Sequence, residues 1–169
     1  MPTAERDLAT VVLTTPIGAL GVTASEHGLR RVSLPGNGAP RVHTGSSDAA
    51  ALAGDAARQL EEYLDGARTS FELELDWSGV EERHRNVLET LVDAAPFGRT
   101  LTYGELGRLA GESDPREVGV MMARNPIPLV VPCHRVVASD GLGGYGGGLE
   151  LKRRLLELEY VLPPRLLDA

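Results

Sequence analysis

One cysteine and the histidine beside it are the residues of this chain best suited to nucleophilic chemistry. Cys133 and His134 follow a segment with three prolines, Pro126, Pro128 and Pro132. Each proline fixes φ and removes a backbone amide, so the segment is expected to be extended and rigid. An adjacent imidazole can accept the thiol proton, directly or through a water molecule, and so favour the reactive thiolate. The alternative is a structural cysteine, because unpaired cysteines are among the most buried residues.

Composition limits the class of protein. The chain has 169 residues, of which 42% are hydrophobic and 24% charged, as in ordinary globular proteins of one domain or two small ones. No stretch approaches the roughly 18 apolar residues of a membrane span. The opening residues, MPTAERDLAT, lack the basic segment and apolar core of a secretory signal, which predicts a cytoplasmic location. A single cysteine excludes an internal disulfide and a zinc site of several cysteines.

The charge of the chain argues against a broad electrostatic contact with nucleic acid. The formal net charge is −7 at pH 7, and Lys152 is the only lysine. Proteins that hold DNA mainly through its phosphates carry a basic surface. The net charge predicts no such basic surface over the chain as a whole.

The first half of the sequence predicts a small α+β unit. Three β-branched runs, TVVLTT, ALGVTASEHG and LRRVSL, are divided by turn signals and predict a three-stranded meander. Residues 35–49 have few apolar side chains and predict an exposed loop, whereas residues 50–66 have apolar side chains at helical spacing. Residues 71–77, FELELDW, alternate with period two and predict a further strand.

The second half changes to helices and turns. An apolar stripe after residue 80 predicts a helix that ends before Pro96, and Thr102 with Glu105 forms a capping box at the start of a helix over 103–110. Asp114 and Pro115 are typical N-cap and first helical residues, so a further helix is expected over 115–124. The last two helices suit a DNA-binding helix-turn-helix, but helical hairpins that only pack are also common.

Longer motifs resemble one family. The run RNPIPLVVPCHRVV is flanked by TTPIGALGV, QLEEYLDGARTSFELELD, PFGRTLTYGELGRLAG and GYGGGLELKRRLLELE. In this order they are similar to the O6-alkylguanine-DNA alkyltransferases, also called methylated-DNA–protein-cysteine methyltransferases, and cover nearly the whole chain. The five-residue run PCHRV is the most specific of these motifs.

The resemblance implies roles for four residues. Cys133 is the expected nucleophile, which attacks the alkyl carbon on guanine O6 and keeps the group as a thioether. His134 is the expected base, acting through a water molecule and oriented by Glu159. Asn125 is the expected hinge between the recognition helix and the active-site loop. From the residues alone, Glu159 also suits a solvated helix face and Asn125 also suits a helix C-cap.

The resemblance also implies contacts with DNA. The target atom lies inside the duplex, so the base must be extruded. Arg116 corresponds to the arginine that fills the space of the flipped guanine, Tyr103 to the tyrosine that helps rotate the 3′ phosphate, and Gly119 lies on the recognition helix. The expected substrate pocket has walls from Pro128, Met122 and Tyr145. The backbone carbonyl of Val136 is its expected hydrogen-bond acceptor, and the backbone amide of Gly146 is its expected donor. No cofactor and no metal are expected.

The sequence departs from the family pattern in two helices. The recognition helix is usually rich in small residues, but here it carries Glu117, Val120 and Met121. These side chains put close docking to the minor groove in doubt. The carboxylates of Asp114 and Glu117 would also oppose phosphate, so we expect weak, salt-sensitive binding of DNA with few phosphate contacts. Arg83 and Leu88 stand where aromatic residues are common, and we expect repacking there without loss of function.

Together these features predict an α+β protein with two parts. Residues 1–78 are expected to form an N-terminal supporting domain with a small antiparallel sheet and a helix. Residues 79–169 are expected to form a helical domain with a winged-helix-like helix-turn-helix that binds DNA and transfers the alkyl group. The predicted partner is double-stranded DNA containing O6-alkylguanine, bound by a monomer. The alternatives are a damage-binding module that does not transfer the group, and a Cys-His thiol hydrolase or redox protein.

Overall fold

A computed structural model describes residues 5–165 of the chain. It contains five strands, five α-helices and two short 3-10 helices within those residues. The strands are β1 (Ala9–Thr15), β2 (Gly18–Ser25), β3 (Gly28–Ser33), β4 (Leu101–Thr102) and β5 (Val136–Val137). The helices are α1 (Ser47–Leu64), α2 (Glu82–Ala94), α3 (Tyr103–Ala110), α4 (Pro115–Ala123) and α5 (Leu149–Leu158). The 3-10 helices span Glu5–Asp7 and Cys133–Arg135.

The predicted three-stranded meander is confirmed. β1, β2 and β3 form an antiparallel sheet in chain order, with Val11 opposite Val22 and Val22 opposite Val32. The segment that follows β3 folds back over the sheet at Gly21. A Cβ atom added there would lie 2.4 Å from the Cβ atom of Pro40, so only glycine permits this approach.

The loop predicted over 35–49 ends earlier than its composition indicates. α1 begins at Ser47, because the hydroxyl of Ser46 accepts a hydrogen bond from the amide of Ala49 at 3.1 Å and caps the helix. The loop therefore covers residues 35–45. At the other end, Gly66 has a φ of +78° just beyond the helix, where the left-handed conformation favours glycine.

The prediction of a strand over residues 71–77 is wrong, because this segment does not form a full strand of the sheet. Only Leu75 forms a bridge, in parallel with Leu29. The backbone groups of Glu72 are instead paired with the side chain of Gln59 on α1, at 2.9 and 3.1 Å. The alternating burial that the sequence predicts is present, but a helix side chain replaces the partner strand that a ladder needs.

The predicted helix pair is confirmed. Thr102 accepts from the amide of Glu105 at 3.1 Å in a capping box that starts α3, and Asp114 accepts from the amide of Arg116 at 2.9 Å at the start of α4. Gly111 ends α3 in the left-handed conformation. α3 and α4 pack against each other and against α2.

One hydrophobic core joins the two halves of the chain. It contains Leu20 and Leu60 from the first half and Leu88, Ile127 and Leu155 from the second. The amide of Val32 at the end of β3 also donates to the carbonyl of Pro126 at 3.0 Å. The sheet thus supports the proline segment that leads to Cys133. Across residues 5–165, none of the helices has the length and hydropathy required to cross a membrane.

Candidate active site

The segment before Cys133 is held by one asparagine side chain. Asn125, just after α4, donates to the carbonyl of Val131 at 2.9 Å and accepts from the amide of Ile127 at 3.0 Å. Leu129 between them adopts a positive φ of +74°, an uncommon conformation that the surrounding contacts must stabilise. These bonds fix the end of α4 to the short helix Cys133–Arg135, which is the hinge position expected for Asn125.

The thiol of Cys133 is almost fully buried, with 6% of the residue exposed. Burial raises its pKa to about 11, although the side chain of Asn125 and the charge of Lys152 both favour the thiolate. At neutral pH the thiol therefore stays protonated until a base removes its proton. This is the reverse of a redox cysteine, whose low pKa makes it reactive without a substrate.

His134 is oriented by a buried carboxylate. Its Nε2 lies 2.6 Å from Oε2 of Glu159, and both side chains are fully buried. Burial lowers the pKa of His134 more than the Glu159 carboxylate raises it, so the ring is neutral. A carboxylate can only accept, so Nε2 carries the proton and Nδ1 is the basic nitrogen. Within residues 5–165, the buried Nδ1 has no hydrogen-bonding partner.

Glu159 receives hydrogen bonds from four residues in three parts of the fold. Besides His134, its donors are the hydroxyl of Tyr63 at 2.5 Å, Nε of Arg135 at 2.7 Å and the amide of Gly98 at 3.2 Å. Burial alone would raise the pKa of Glu159, but the bonds from His134 and Arg135 lower it to about 2. Glu159 therefore lies in a buried charged network and not on a solvated helix face. Arg135 thus forms a buried ion pair with Glu159.

A cavity of about 250 Å³ opens onto Cys133. The hydroxyl of Tyr103 donates to the carbonyl of Gly144 across its rim, at 3.4 Å. Tyr145 is mostly buried, and its ring lies 6.5 Å from that of His134. The lining residues are Tyr103, Gly119, Met122, Ala123, Cys133, Gly144, Tyr145 and Gly146. Five of the residues predicted from the sequence are thus brought around Cys133: Tyr103, Gly119, Met122, Tyr145 and Gly146.

Three predicted residues lie elsewhere. Val136 is fully buried and outside this cavity, and its carbonyl accepts a hydrogen bond from Lys152 at 2.7 Å. Pro128 lines a neighbouring cavity that also reaches Cys133. Arg116 projects from the first turn of α4 with 94% of its side chain exposed, 3.5 Å from Asp114.

Known proteins match both halves of the chain. Residues 10–77 match the ribonuclease-like domain of 6-O-methylguanine DNA methyltransferase, and residues 82–161 match its DNA binding domain. A methylated-DNA–protein-cysteine methyltransferase from Methanopyrus kandleri is 45% identical over 79% of this chain and 97% of its own length. This chain belongs to the methylated-DNA–protein-cysteine methyltransferase family.

Solved structures of this methyltransferase family share the whole fold. The crystal structure of Mycobacterium tuberculosis OGT in complex with DNA has a TM-score of 0.76 and 34% identity, covering 90% of this chain and 91% of its own. An O6-methylguanine-DNA methyltransferase from Pyrococcus kodakaraensis has a TM-score of 0.64 and 28% identity, covering 90% of this chain and 98% of its own.

The structure gives a physical reason for one departure from the methyltransferase pattern. Arg83 on α2 forms ion pairs with Glu117 on α4 and with Glu112, the latter at 2.5 Å. Arg83 thereby offsets part of the negative charge of Glu117, since Arg83 is shared with Glu112. Val120 is half exposed on the same helix.

Two methyltransferase site residues were missed by sequence reasoning. Tyr63 lies on α1, far from the cysteine in sequence, yet its hydroxyl reaches Glu159. Lys152 is fully buried, and its ammonium donates to the carbonyls of Val136, Leu142 and Gly144. Burial lowers its pKa to about 8. Lys152 thus ties the glycine-rich loop, which contributes Gly144, Tyr145 and Gly146 to the cavity, to the strand after Cys133.

Replacing Lys152 with methionine should loosen this loop in the methyltransferase. Met has a similar length but no donor, so the three carbonyls lose their partner. We expect the free energy of unfolding to fall by about 2–3 kcal/mol, and transfer from free O6-benzylguanine to Cys133 to slow by roughly tenfold or more. Arg153→Met removes a partly exposed cation, paired with Glu157, from the same helix and should change stability by only about 0.5 kcal/mol. Equal effects of the two substitutions on stability and transfer would show that Lys152 does not support the loop.

Proposed function

We propose that this protein repairs DNA directly by moving the alkyl group of O6-alkylguanine onto Cys133. The observation that carries the proposal is one buried thiol facing a cavity, beside a neutral histidine whose proton is fixed on the nitrogen that faces Glu159. The Sγ–carbon bond forms as the bond from that carbon to guanine O6 breaks. The protein keeps the group as a thioether, so each molecule acts once.

Proton movement follows from the two pKa shifts. The thiol of Cys133 holds its proton at neutral pH, whereas Nδ1 of His134 is free to accept one. We propose that His134 removes the thiol proton through a water molecule while Glu159 stabilises the imidazolium that forms. The departing guanine oxygen takes up the negative charge, and we propose the amide of Gly146, a residue that lines the cavity, as the donor to it. Asn125 acts on the thiol through the backbone segment that it fixes.

The exposed side of the cavity is proposed as the DNA interface. α4 presents Gly119 at the cavity, and no atom lies within 4 Å of a Cβ added there. Arg116 stands in the first turn of the same helix, where a cation opposes the helix dipole and gains little stability. An exposed arginine at this place is better explained by a role in the minor groove, where it fills the space of the extruded base while Tyr103 contacts the backbone.

Arg116 should matter only when the base has to leave a duplex. We expect Arg116→Ala to slow transfer from duplex O6-methylguanine by roughly 10- to 100-fold, since an inserted side chain offsets a few kcal/mol of unstacking. Transfer from free O6-benzylguanine should stay within about twofold, because the side chain is remote from the buried network. Equal losses on the two substrates would remove this role.

The stoichiometry of repair tests the proposed function against its alternatives. With a tenfold excess of O6-methylguanine duplex, we expect one lesion repaired per protein molecule and no further product with time. A thiol hydrolase or redox protein would turn over repeatedly. A damage-binding module would retain the duplex without repairing it. Either result would contradict alkyl transfer to the protein.

Other features of the proposal come from the sequence. We propose residues 1–78 as the supporting domain and residues 79–169 as the DNA-binding and transfer domain, acting as a monomer in the cytoplasm. No group of three or more metal-ligating side chains occurs within residues 5–165. Pro128 and Met122 are proposed as apolar walls beside the alkyl group.

A further inference from the structure

A second cavity reaches Cys133 from the side of the β-sheet. Its volume is about 370 Å³, and it shares Met122, Ala123, Cys133, Tyr145 and Gly146 with the cavity already described. Its remaining walls come from Asn125, Pro126 and Pro128 and from residues 31–34 and 37–41. The end of β3 and the loop after it thus complete a space that begins at the nucleophile.

The wall formed by the loop is anchored to the sheet. Pro40 packs directly over Gly21, where no larger residue fits. The amide of Val32 donates to the carbonyl of Pro126, which joins the sheet wall to the proline segment of the active site. The loop wall and the proline segment are therefore both attached to the sheet.

The geometry of alkyl transfer indicates which part of a substrate could occupy this cavity. Displacement at carbon places Sγ, the carbon and guanine O6 in line. Anything else attached to that carbon must project sideways from this line. A methyl group needs no further room, whereas a longer adduct needs space beside Cys133 that the guanine does not occupy. The second cavity offers such space because it shares Cys133 and Tyr145 with the first.

The charge of the cavity favours one kind of adduct. Arg31 and Arg41 contribute to its lining, together with the amide side chain of Asn37. Arg41 pairs with Glu5 at 2.9 Å, whereas no ion pair of Arg31 occurs within residues 5–165. No aspartate or glutamate lines the cavity among the described residues. An unpaired guanidinium is a donor for a carboxylate.

We infer that this cavity receives the body of long O6-alkyl adducts, and that Arg31 favours adducts that end in a carboxylate. The inference rests on the proposed function and names a substrate class for it. The N-terminal part of the chain would then help to select the substrate in addition to supporting the fold.

Three duplexes test the inference. They carry O6-methylguanine, O6-(3-carboxypropyl)guanine or its uncharged match, O6-(3-carbamoylpropyl)guanine. Wild-type protein should accept all three, with the carboxylate adduct transferred faster than the amide. Arg31→Gln should slow the carboxylate adduct by roughly fivefold relative to the amide, the upper range for an exposed charge pair. Arg99→Gln, an exposed arginine outside the cavity, is the control and should affect all three equally.

A substitution that fills the space tests the cavity itself. Ala39 is exposed at its rim, so Ala39→Trp should fold normally and slow both long adducts while sparing methyl transfer. Equal slowing of all three substrates by Arg31→Gln would place Arg31 on the DNA and overturn the inference. Transfer of methyl but of neither long adduct by wild type would also overturn it and leave the proposed function intact. No transfer of any group would mean that the proposed function itself fails.

Discussion

Replacing Cys133 with serine is expected to abolish alkyl transfer while preserving binding to the lesion duplex. A hydroxyl has nearly the same size as a thiol, so the cavity and the backbone segment fixed by Asn125 should keep their geometry. Serine is a much weaker nucleophile, and a site that already raises the pKa of the thiol to about 11 disfavours an alkoxide still more. We expect the transfer rate to fall by roughly 10⁴-fold or more.

The measurement uses a duplex with a radiolabelled O6-methyl group and counts the label that remains on the protein. The equilibrium binding of an unmodified duplex of the same sequence by wild-type and Cys133→Ser protein serves as the control for folding, because wild type would repair the lesion duplex, and the two affinities should agree within about twofold. Binding of the lesion duplex is measured for the serine protein. Label retained by the serine protein at more than a trace would show that another residue accepts the group. Loss of binding together with loss of transfer would show that the substitution disturbs the site and not only its chemistry.

Replacing Glu159 with glutamine is expected to damage both stability and transfer. The carboxylate is the counter-ion of the buried Arg135, so the change leaves an uncompensated buried charge. We expect the free energy of unfolding to fall by about 3–5 kcal/mol. The amide can also donate to Nε2 of His134, which would favour the wrong tautomer and slow transfer by roughly 100-fold or more. Transfer is measured at a temperature at which the variant is folded.

The pH dependence of the stability difference tests whether the lost charge of Glu159 is the cause of the destabilisation. The pKa of Glu159 in the folded protein, about 2, lies below its unfolded value of about 4.3, so the stabilisation is complete above the unfolded value and declines as the pH falls toward 2. The stability difference between wild type and Glu159→Gln should therefore shrink when denaturant titrations are moved from pH 7 to pH 4. Glu157→Gln, on the same helix but in partly exposed pairs, is the control and should cost less than about 1 kcal/mol. A difference that is constant with pH would contradict the role of the ionised carboxylate.

Local signals predicted the helix ends well because the responsible residues lie within one turn of each other. Thr102 with Glu105, and Asp114 with Pro115, satisfy amides of their own helices, so their pattern is visible in the sequence. The segment 71–77 shows the opposite case. Its alternation is real, but whether it becomes a strand depends on what lies beside it, and Gln59 from a distant helix takes that place.

Only the active-site residues that lie within a recognisable sequence motif could be predicted. Cys133, His134 and the glycine-rich loop stand together in recognisable runs, whereas Tyr63 reaches Glu159 across 96 residues of chain. In the sequence, Lys152 is indistinguishable from the other charged residues of an amphipathic helix. Only the packing of the loop around its ammonium shows that it is buried. Residues whose role depends on tertiary contacts of this kind leave no periodic signal.

The most direct test of alkyl transfer is the mass of the protein after repair. The purified chain is incubated with a duplex that carries a single O6-methylguanine, and its intact mass and peptide map are recorded. We expect a gain of one methyl group per chain, located on the peptide that contains Cys133, with the guanine restored in the DNA. Restored guanine with an unmodified protein, or a methyl group on any other residue, would contradict the assignment of Cys133 as the acceptor.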